Sequence, residues 1–410
     1  MKIGILTYHC PPNFGAQLQT LSTIGYLKRM GHEPIVINWY AKDLEEMYSH
    51  RIPANQVLAH NAFANERFPL TQRYVDLKSM VDGLDMYNLD AIIVGSDALF
   101  KYVPYKNRRY FSKRRLRFIY YNNPLSCEDL IGNPFWGGFV PMLRRRVPVS
   151  VYAASCQNCP FFLMNFFERR RMRKTLKNYN LITVRDFWTK QMIEKITMRK
   201  DIKIFPDPVF AFMKNCDRQI PTKADILKKY GLKDKYVLFS FSGLFCTPQY
   251  VTSLANQIEK EEMQAVNLPM PEGLLEMGIK KSIKLPLDPL DWYALIAYSS
   301  GYVGERMHPI VVCLHNAVPF FCFDEYGVKT KKTQSEREIY DEQTSKTYLI
   351  VNEAGFIKNL YSYQKGSPLP TKELVVERLF SFDKRRCEEF SRIKTKEYEV
   401  GMGEIMKSLI

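Results

Sequence analysis

Apolar residues in this chain follow two rhythms. Short unbroken runs, Ile3–Thr7, Pro34–Trp39, Ala91–Val94, Ser150–Ser155, Asn180–Val184, Ile202–Phe205, Tyr236–Phe241, Gly301–Gly304 and Val318–Phe323, have the length and continuity of strands buried on both faces, as in parallel sheets. Between them lie longer stretches with apolar residues every third or fourth position. One, from Ala16 to Met30, carries Leu18, Leu21, Ile24 and Leu27 and stops at Gly31, which predicts an amphipathic helix with a glycine stop. Helices are likewise predicted near 166–177, near 248–261 and over Leu290–Ala297, where Asp288 supplies a cap, Pro289 the first position and Asp291 a first-turn acid. The alternation is that of a doubly wound α/β fold. It breaks over residues 215–235, a polar, charged stretch containing Pro221, and then resumes. Two α/β domains therefore follow in tandem, 1–214 and 215–367, facing each other across a cleft, with a charged helical tail, 368–410, packed back on them. Residues 41–88 read as polar and partly helical, and residues 101–146 as a basic insertion in the first domain.

In open α/β sheets, ligands gather at the carboxyl ends of the strands. The chain places chemistry-bearing residues at four such ends. The first strand leads to Asn13-Phe14-Gly15-Ala16-Gln17 at a helix start, without the three-glycine pattern of dinucleotide binding. The third leads to Gly95-Ser96-Asp97, in which Asp97 either meets substrate or caps the next segment. The run ending at Val184 leads to Arg185-Asp186, where Arg185 either binds an anion or pairs with a neighbouring acid. Gly301–Gly304 leads to Arg306-Met307-His308-Pro309. Pro309 marks the expected first helical position and His308 the cap. Arg306 offers a planar, permanently charged fork for carboxylate or phosphate, and His308 a group that exchanges protons near neutral pH.

Composition narrows the classes. Of 410 residues, 46% are hydrophobic and 25% charged, as in ordinary globular proteins, and no apolar run approaches the roughly 20 residues that span a bilayer. The expected location is the cytoplasm. Nine scattered cysteines are expected as free thiols, and the isolated Cys156-X-X-Cys159 pair lacks the second pair of a zinc site. No carboxylate or histidine cluster points to a metal. The net charge of +16 is concentrated: Lys106, Arg108, Arg109, Lys113, Arg114, Arg115 and Arg117 fall in an acid-free stretch, and Arg169–Lys174 follows Phe161, Phe162, Phe166 and Phe167. Cations beside aromatics suit the inner face of an anionic membrane, held peripherally, ahead of nucleic acid, which is not an expected partner; the alternative is that the aromatics are core.

The ordered set Asn13-Phe14-Gly15-Ala16-Gln17-Leu18-Gln19, Val94-Gly95-Ser96-Asp97, Tyr152-Ala153-Ala154-Ser155, Val184-Arg185-Asp186, Asp207-Pro208-Val209 and Arg306-Met307-His308 followed by Pro319-Phe320 resembles the polysaccharide pyruvyl transferase family. The resemblance implies two Rossmann-like domains in the GT-B glycosyltransferase arrangement. It also implies an enzyme that moves pyruvate from phosphoenolpyruvate onto two hydroxyls of a sugar, in a bacterial-type surface polysaccharide or its lipid-linked oligosaccharide precursor, forming a cyclic ketal. On it, His308 is the catalytic residue, Arg185 and Arg306 hold phosphoenolpyruvate, and Asn13, Gly15, Gln17, Ser96 and Asp97 lie in the cleft or at the acceptor. No cofactor or metal is implied. Ala98 stands where the family usually carries Gln. Two alternatives remain at this point: a nucleotide-sugar glycosyltransferase of the same architecture, and a catalytically degenerate scaffold of a polysaccharide assembly complex.

Overall fold

The computed structural model describes the chain except for residues 113–115, 121–124, 244–245, 326–329, 333–336, 340–344 and 364–367. Two six-stranded parallel sheets form its frame. The strands of the first, in chain order, are β1 (Lys2–Leu6), β2 (Glu33–Val36), β3 (Ala91–Asp97), β4 (Val149–Ala154), β5 (Ile182–Val184) and β6 (Lys203–Ile204), and their spatial order is β2-β1-β3-β4-β5-β6. Those of the second are β7 (Tyr236–Ser240), β8 (Gln264–Asn267), β9 (Lys281–Ser282), β10 (Gly301–Gly304), β11 (Phe320–Glu325) and β12 (Leu360–Tyr363), ordered β9-β8-β7-β10-β11-β12. Every residue of β3 and β4 is buried, which is why these strands read as continuous apolar runs. The α/β class predicted from the two rhythms is the observed one.

Helices fill the stretches between strands. Residues 41–88 hold three, Lys42–Ser49, Ala54–Arg67 and Leu77–Leu84. The insertion contributes an antiparallel hairpin, Arg109–Ser112 with Arg117–Tyr120. Of the cations predicted there, Lys113, Arg114 and Arg115 lie outside the described residues. All nine cysteines are free thiols. Among the described residues no helix is long and apolar enough to cross a membrane.

The final helix, Lys384–Ser408, touches both sheets' layers. Toward the first, Ser408 meets Ser150 Oγ at 2.8 Å and accepts from Asn180 at 2.8 Å, while Lys203 reaches Glu404 at 2.7 Å. Toward the second, the Cys387 thiol donates to the Leu314 carbonyl, Ser391 donates to the His315 carbonyl at 2.8 Å, and Lys394 pairs with Glu353 at 2.5 Å.

Candidate active site

Six chain segments converge where the carboxyl ends of the two sheets face each other. Helix Phe14–Arg29 begins after β1, with the Asn13 side chain accepting the Ala16 N–H at 3.2 Å, the cap expected of an Asn before a helix. Gly15, in the first turn, lies against the His308 ring: a Cβ there would stand 2.1 Å from Cγ and 2.2 Å from Nδ1. One turn further, the buried Gln19 donates its amide to Asp207 Oδ2 and lies 3.3 Å from His308 Nε2. Two amide hydrogens permit one bond to each.

Asp207 follows β6. Its Oδ1 accepts the Val209 N–H at 3.0 Å, and its Oδ2 accepts from Arg185 Nη1 at 2.7 Å as well as from Gln19. The Arg185 side chain is only 7% exposed. Burial opposes its charge, but the carboxylates of Asp207, Asp97 and Asp186 outweigh this and hold its pKa above the ordinary value. Nη2 lies 3.9 Å from Asp97 Oδ1. Among the described residues, Arg185 Nε and Nη2 have no hydrogen-bond partner, and neither does Gln19 Oε1. Asp186, the alternative partner for Arg185, instead caps helix Phe187–Thr197 through the Thr189 N–H at 2.7 Å and accepts from Ser155 Oγ at 2.8 Å.

From the second sheet, β10 delivers Arg306 and His308. The helix begins at Met307, with Arg306 at the cap position at φ +78°. Pro309 is thus the third helical residue and His308 the second, each two places later than the expected positions. The left-handed turn at Arg306 starts the helix early, and proline is tolerated there because first-turn N–H groups have no intrahelical acceptor. Asp97 also has positive φ, +116°. Such backbone costs roughly 1–3 kcal/mol per residue and gathers at functional sites. His308 is neutral at pH 7: burial pushes its pKa down to about 4, against the pull of Asp207, whose Oδ2 is 3.9 Å from Nε2, and of Asp97. Arg306 is different in kind. Its side chain is 49% exposed and pairs with Glu272 at 2.9 Å, a surface bridge worth about 0–1 kcal/mol.

Lys346, absent from the sequence reading, completes the group. It opens helix Lys346–Glu353, capped by Ser345. Burial, then the Arg185 charge, push its pKa down, with Asp97 and Asp186 opposing and Arg306 adding to the depression. Among the described residues it has no recorded hydrogen bond or ion pair. Asp97, Arg306, His308 and Lys346 line a cleft of about 540 Å³ with Lys101 and Glu128. Arg185 lines a second chamber of about 360 Å³, and Met307 and Lys346 belong to both walls.

The remaining sequence candidates divide. Asn13 and Asp97 line the cleft, and Gly15 permits the approach of His308. Gln17 and Ser96 do not face it. Gln17 is fully buried and donates to the His60 carbonyl at 3.1 Å, drawn to helix Ala54–Arg67 instead of the cleft. Ser96 is buried and donates to the Ala153 carbonyl at 2.8 Å, tying β3 to β4.

These features define a class: a two-lobed α/β fold of GT-B type, with cationic groups from both lobes around a buried, neutral histidine. Solved structures agree on the fold. UDP-GlcNAc 2-epimerase from Neisseria meningitidis bound to UDP-GlcNAc is similar at 10% identity over 100% of this chain and 99% of that one, with a TM-score of 0.51. The UDP-GlcNAc 2-epimerase from Methanocaldococcus jannaschii is similar at 10% identity over 97% and 100%, with a TM-score of 0.50. No curated protein sequence matches the chain. The model of the polysaccharide pyruvyl transferase family matches residues 13–325, and the chain belongs to that family.

Proposed function

We propose that this chain transfers the pyruvyl unit of phosphoenolpyruvate onto two hydroxyls of one sugar residue, in a surface polysaccharide or its lipid-linked precursor, closing a cyclic ketal. One observation carries the reading: a buried guanidinium, already paired to Asp207 on one nitrogen, has two further donors without a hydrogen bond among the described residues, near a neutral histidine and a lysine likewise without a partner among them. Unmatched buried donors are costly unless a ligand satisfies them, and a ligand with both carboxylate and phosphate suits cations arriving from two lobes. Arg185 takes one anionic group. Lys346 and Arg306 take the other, and Arg306 gives up only a weak surface pair to do so.

The chemistry then needs a base. Neutral His308 accepts the proton of the first sugar hydroxyl as its oxygen bonds to C2 of phosphoenolpyruvate, C3 takes a proton from solvent to become a methyl group, and His308 afterwards returns its own proton to solvent. Asp207 stabilises the imidazolium, and Gln19 holds the two in register. The C2–O bond to phosphate breaks, the second hydroxyl oxygen bonds to C2, and its proton leaves with phosphate. Two hydroxyls and phosphoenolpyruvate thus give ketal and inorganic phosphate.

Thermal shift separates this reading from a nucleotide-sugar transferase and from a degenerate scaffold. A ligand at a hundred times its Kd stabilises the native state by about 2.7 kcal/mol. Phosphoenolpyruvate is expected to raise Tm and UDP-sugars to leave it unchanged. A rise with UDP-sugars alone favours the glycosyltransferase, and no rise with either removes the donor site.

A further inference from the structure

The loop Ser155–Asn165 leaves the carboxyl end of β4 and runs into helix Phe166–Leu176. Gln157 of this loop lines the cleft. Phe161 is buried, 4.7 Å from Trp188 between ring centroids, but its followers are not: Phe162 is 42%, Phe166 61% and Phe167 75% exposed. The sequence left core and surface open for these aromatics, and the structure divides them. Phe167, Arg170, Arg171 and Lys174, all exposed, fall at the spacing that puts them on one helix face. Met172 and Leu176 occupy the buried face.

The patch is purely cationic. Glu168 is the sole acid from 161 to 180. It is buried, and its carboxylate accepts from Tyr102 Oη, the Tyr105 N–H and the Asn165 N–H, each at 2.8 Å. Those bonds satisfy the carboxylate inside the protein and fasten the start of the basic insertion to the head of the helix. Solvent-exposed phenylalanines are costly on a water-facing surface, and residues 161–180 carry no exposed carboxylate to attract a basic partner.

We propose that this face docks on an anionic lipid bilayer, with Phe162, Phe166 and Phe167 entering the headgroup boundary and Arg170, Arg171 and Lys174 pairing with lipid phosphates. Aromatic bulk beside cations is the composition of interfacial contacts. Because the same loop walls the cleft, docking presents the cleft to the bilayer surface, where a lipid-linked sugar would be held. The docking rests on the patch and not on pyruvyl transfer, so the two readings fail separately.

Vesicle co-sedimentation tests it, with phosphatidylcholine alone and with about a third phosphatidylglycerol added. The wild-type chain is expected to pellet with the anionic vesicles at low salt and to be released as salt rises, a comparison that needs no variant. Arg170→Gln/Arg171→Gln/Lys174→Gln removes three cations at about fivefold each, so vesicle affinity falls roughly a hundredfold. Phe166→Ser/Phe167→Ser lowers it by at least about tenfold. Circular dichroism and an unaltered thermal melt serve as the folding control for both variants. Equal pelleting of wild type and variants, no binding to anionic vesicles, or a dimer in light scattering that only the phenylalanine variant disperses would each overturn the docking.

Discussion

Gly15→Ala is the sharpest test of the site, because it changes one hydrogen to a methyl group at the point where the lobes' chemistry meets. The added Cβ would stand 2.1, 2.2 and 2.5 Å from Cγ, Nδ1 and Cδ2 of His308. Carbon contacts settle near 3.5–4.0 Å, so the ring must retreat by more than about 1 Å. It cannot do so freely, since Gln19 and Asp207 hold its far side. Overpacking of this kind costs about 1–3 kcal/mol, offset by the roughly 0.5–1 kcal/mol that alanine gains over glycine in a helix, so Tm is expected to fall by only a few degrees. Turnover should suffer far more, by about a hundredfold, as when a catalytic group moves about 1 Å. Phosphate release from phosphoenolpyruvate with a sugar acceptor is the assay. Gly403→Ala is the matched control: that helical glycine has open space around its Cβ position, so the substitution should raise Tm and leave turnover alone. Wild-type turnover in a folded Gly15→Ala chain would refute the placement of proton transfer at His308.

Other expectations follow from the same geometry. Arg185→Ala should weaken phosphoenolpyruvate binding in calorimetry and also cost about 3–5 kcal/mol of stability by stranding Asp207, whereas Arg306→Ala should weaken binding at under about 1 kcal/mol of stability; lysine at 185 should not restore affinity, because a point charge replaces a fork. Lys346→Met should lower phosphoenolpyruvate affinity by roughly 10-fold or more while leaving Tm equal or raised, and unchanged affinity would exclude it from the donor site. His308→Gln should reduce turnover about 10²–10⁴-fold with donor binding kept, while His315→Gln, which breaks the contacts with Met213 N and Ser391 Oγ at 3.3 Å, should cost about 1–2 kcal/mol and little rate. Burial holds the pKa of His9 below its ordinary value and those of His60, His308 and His315 near 4. Between the unfolded value near 6.5 and the folded one the unfolded chain binds more protons, so chemical-denaturation stability should fall as pH drops from about 6.5 to 4, each histidine contributing on the order of 1–3 kcal/mol; a flat profile there would contradict it.

Much of the fold was legible because parallel strands covered on both faces must be continuously apolar, as Ala91–Val94 is. Strand ends then located Arg185, Arg306 and His308 without any knowledge of pairing. The centre of the site was hidden for a related reason. Helix Phe14–Arg29 is buried on nearly all sides, including Gln17, Gln19, Thr20, Ser22 and Thr23. A periodic reading assigns such polar residues to solvent, so Gln19 stands only within a motif, without a role, and Gln17 is expected at a wall it does not reach. Asp207 appeared only within a motif, with nothing local to mark it as the acceptor for both Arg185 and Gln19. Lys346 follows Thr344 and Ser345 with no pattern around it, and only the tertiary fold carries it to Arg185. Pro309 misplaced the helix start because a left-handed residue at 306 has no signature in an arginine.

The helix Lys384–Ser408 changes what the two lobes are thermodynamically. A lobe joined to its neighbour by one linker can melt alone, leaving the other intact. Here the same rod is bonded to β4, Asn180 and β6 on one side and to the helix bearing His308 on the other, so loosening either half strips contacts from the other. Local opening and global unfolding are then coupled, and the two sheets are expected to melt in a single calorimetric transition. The helix is thereby a clasp across the two halves of the chain.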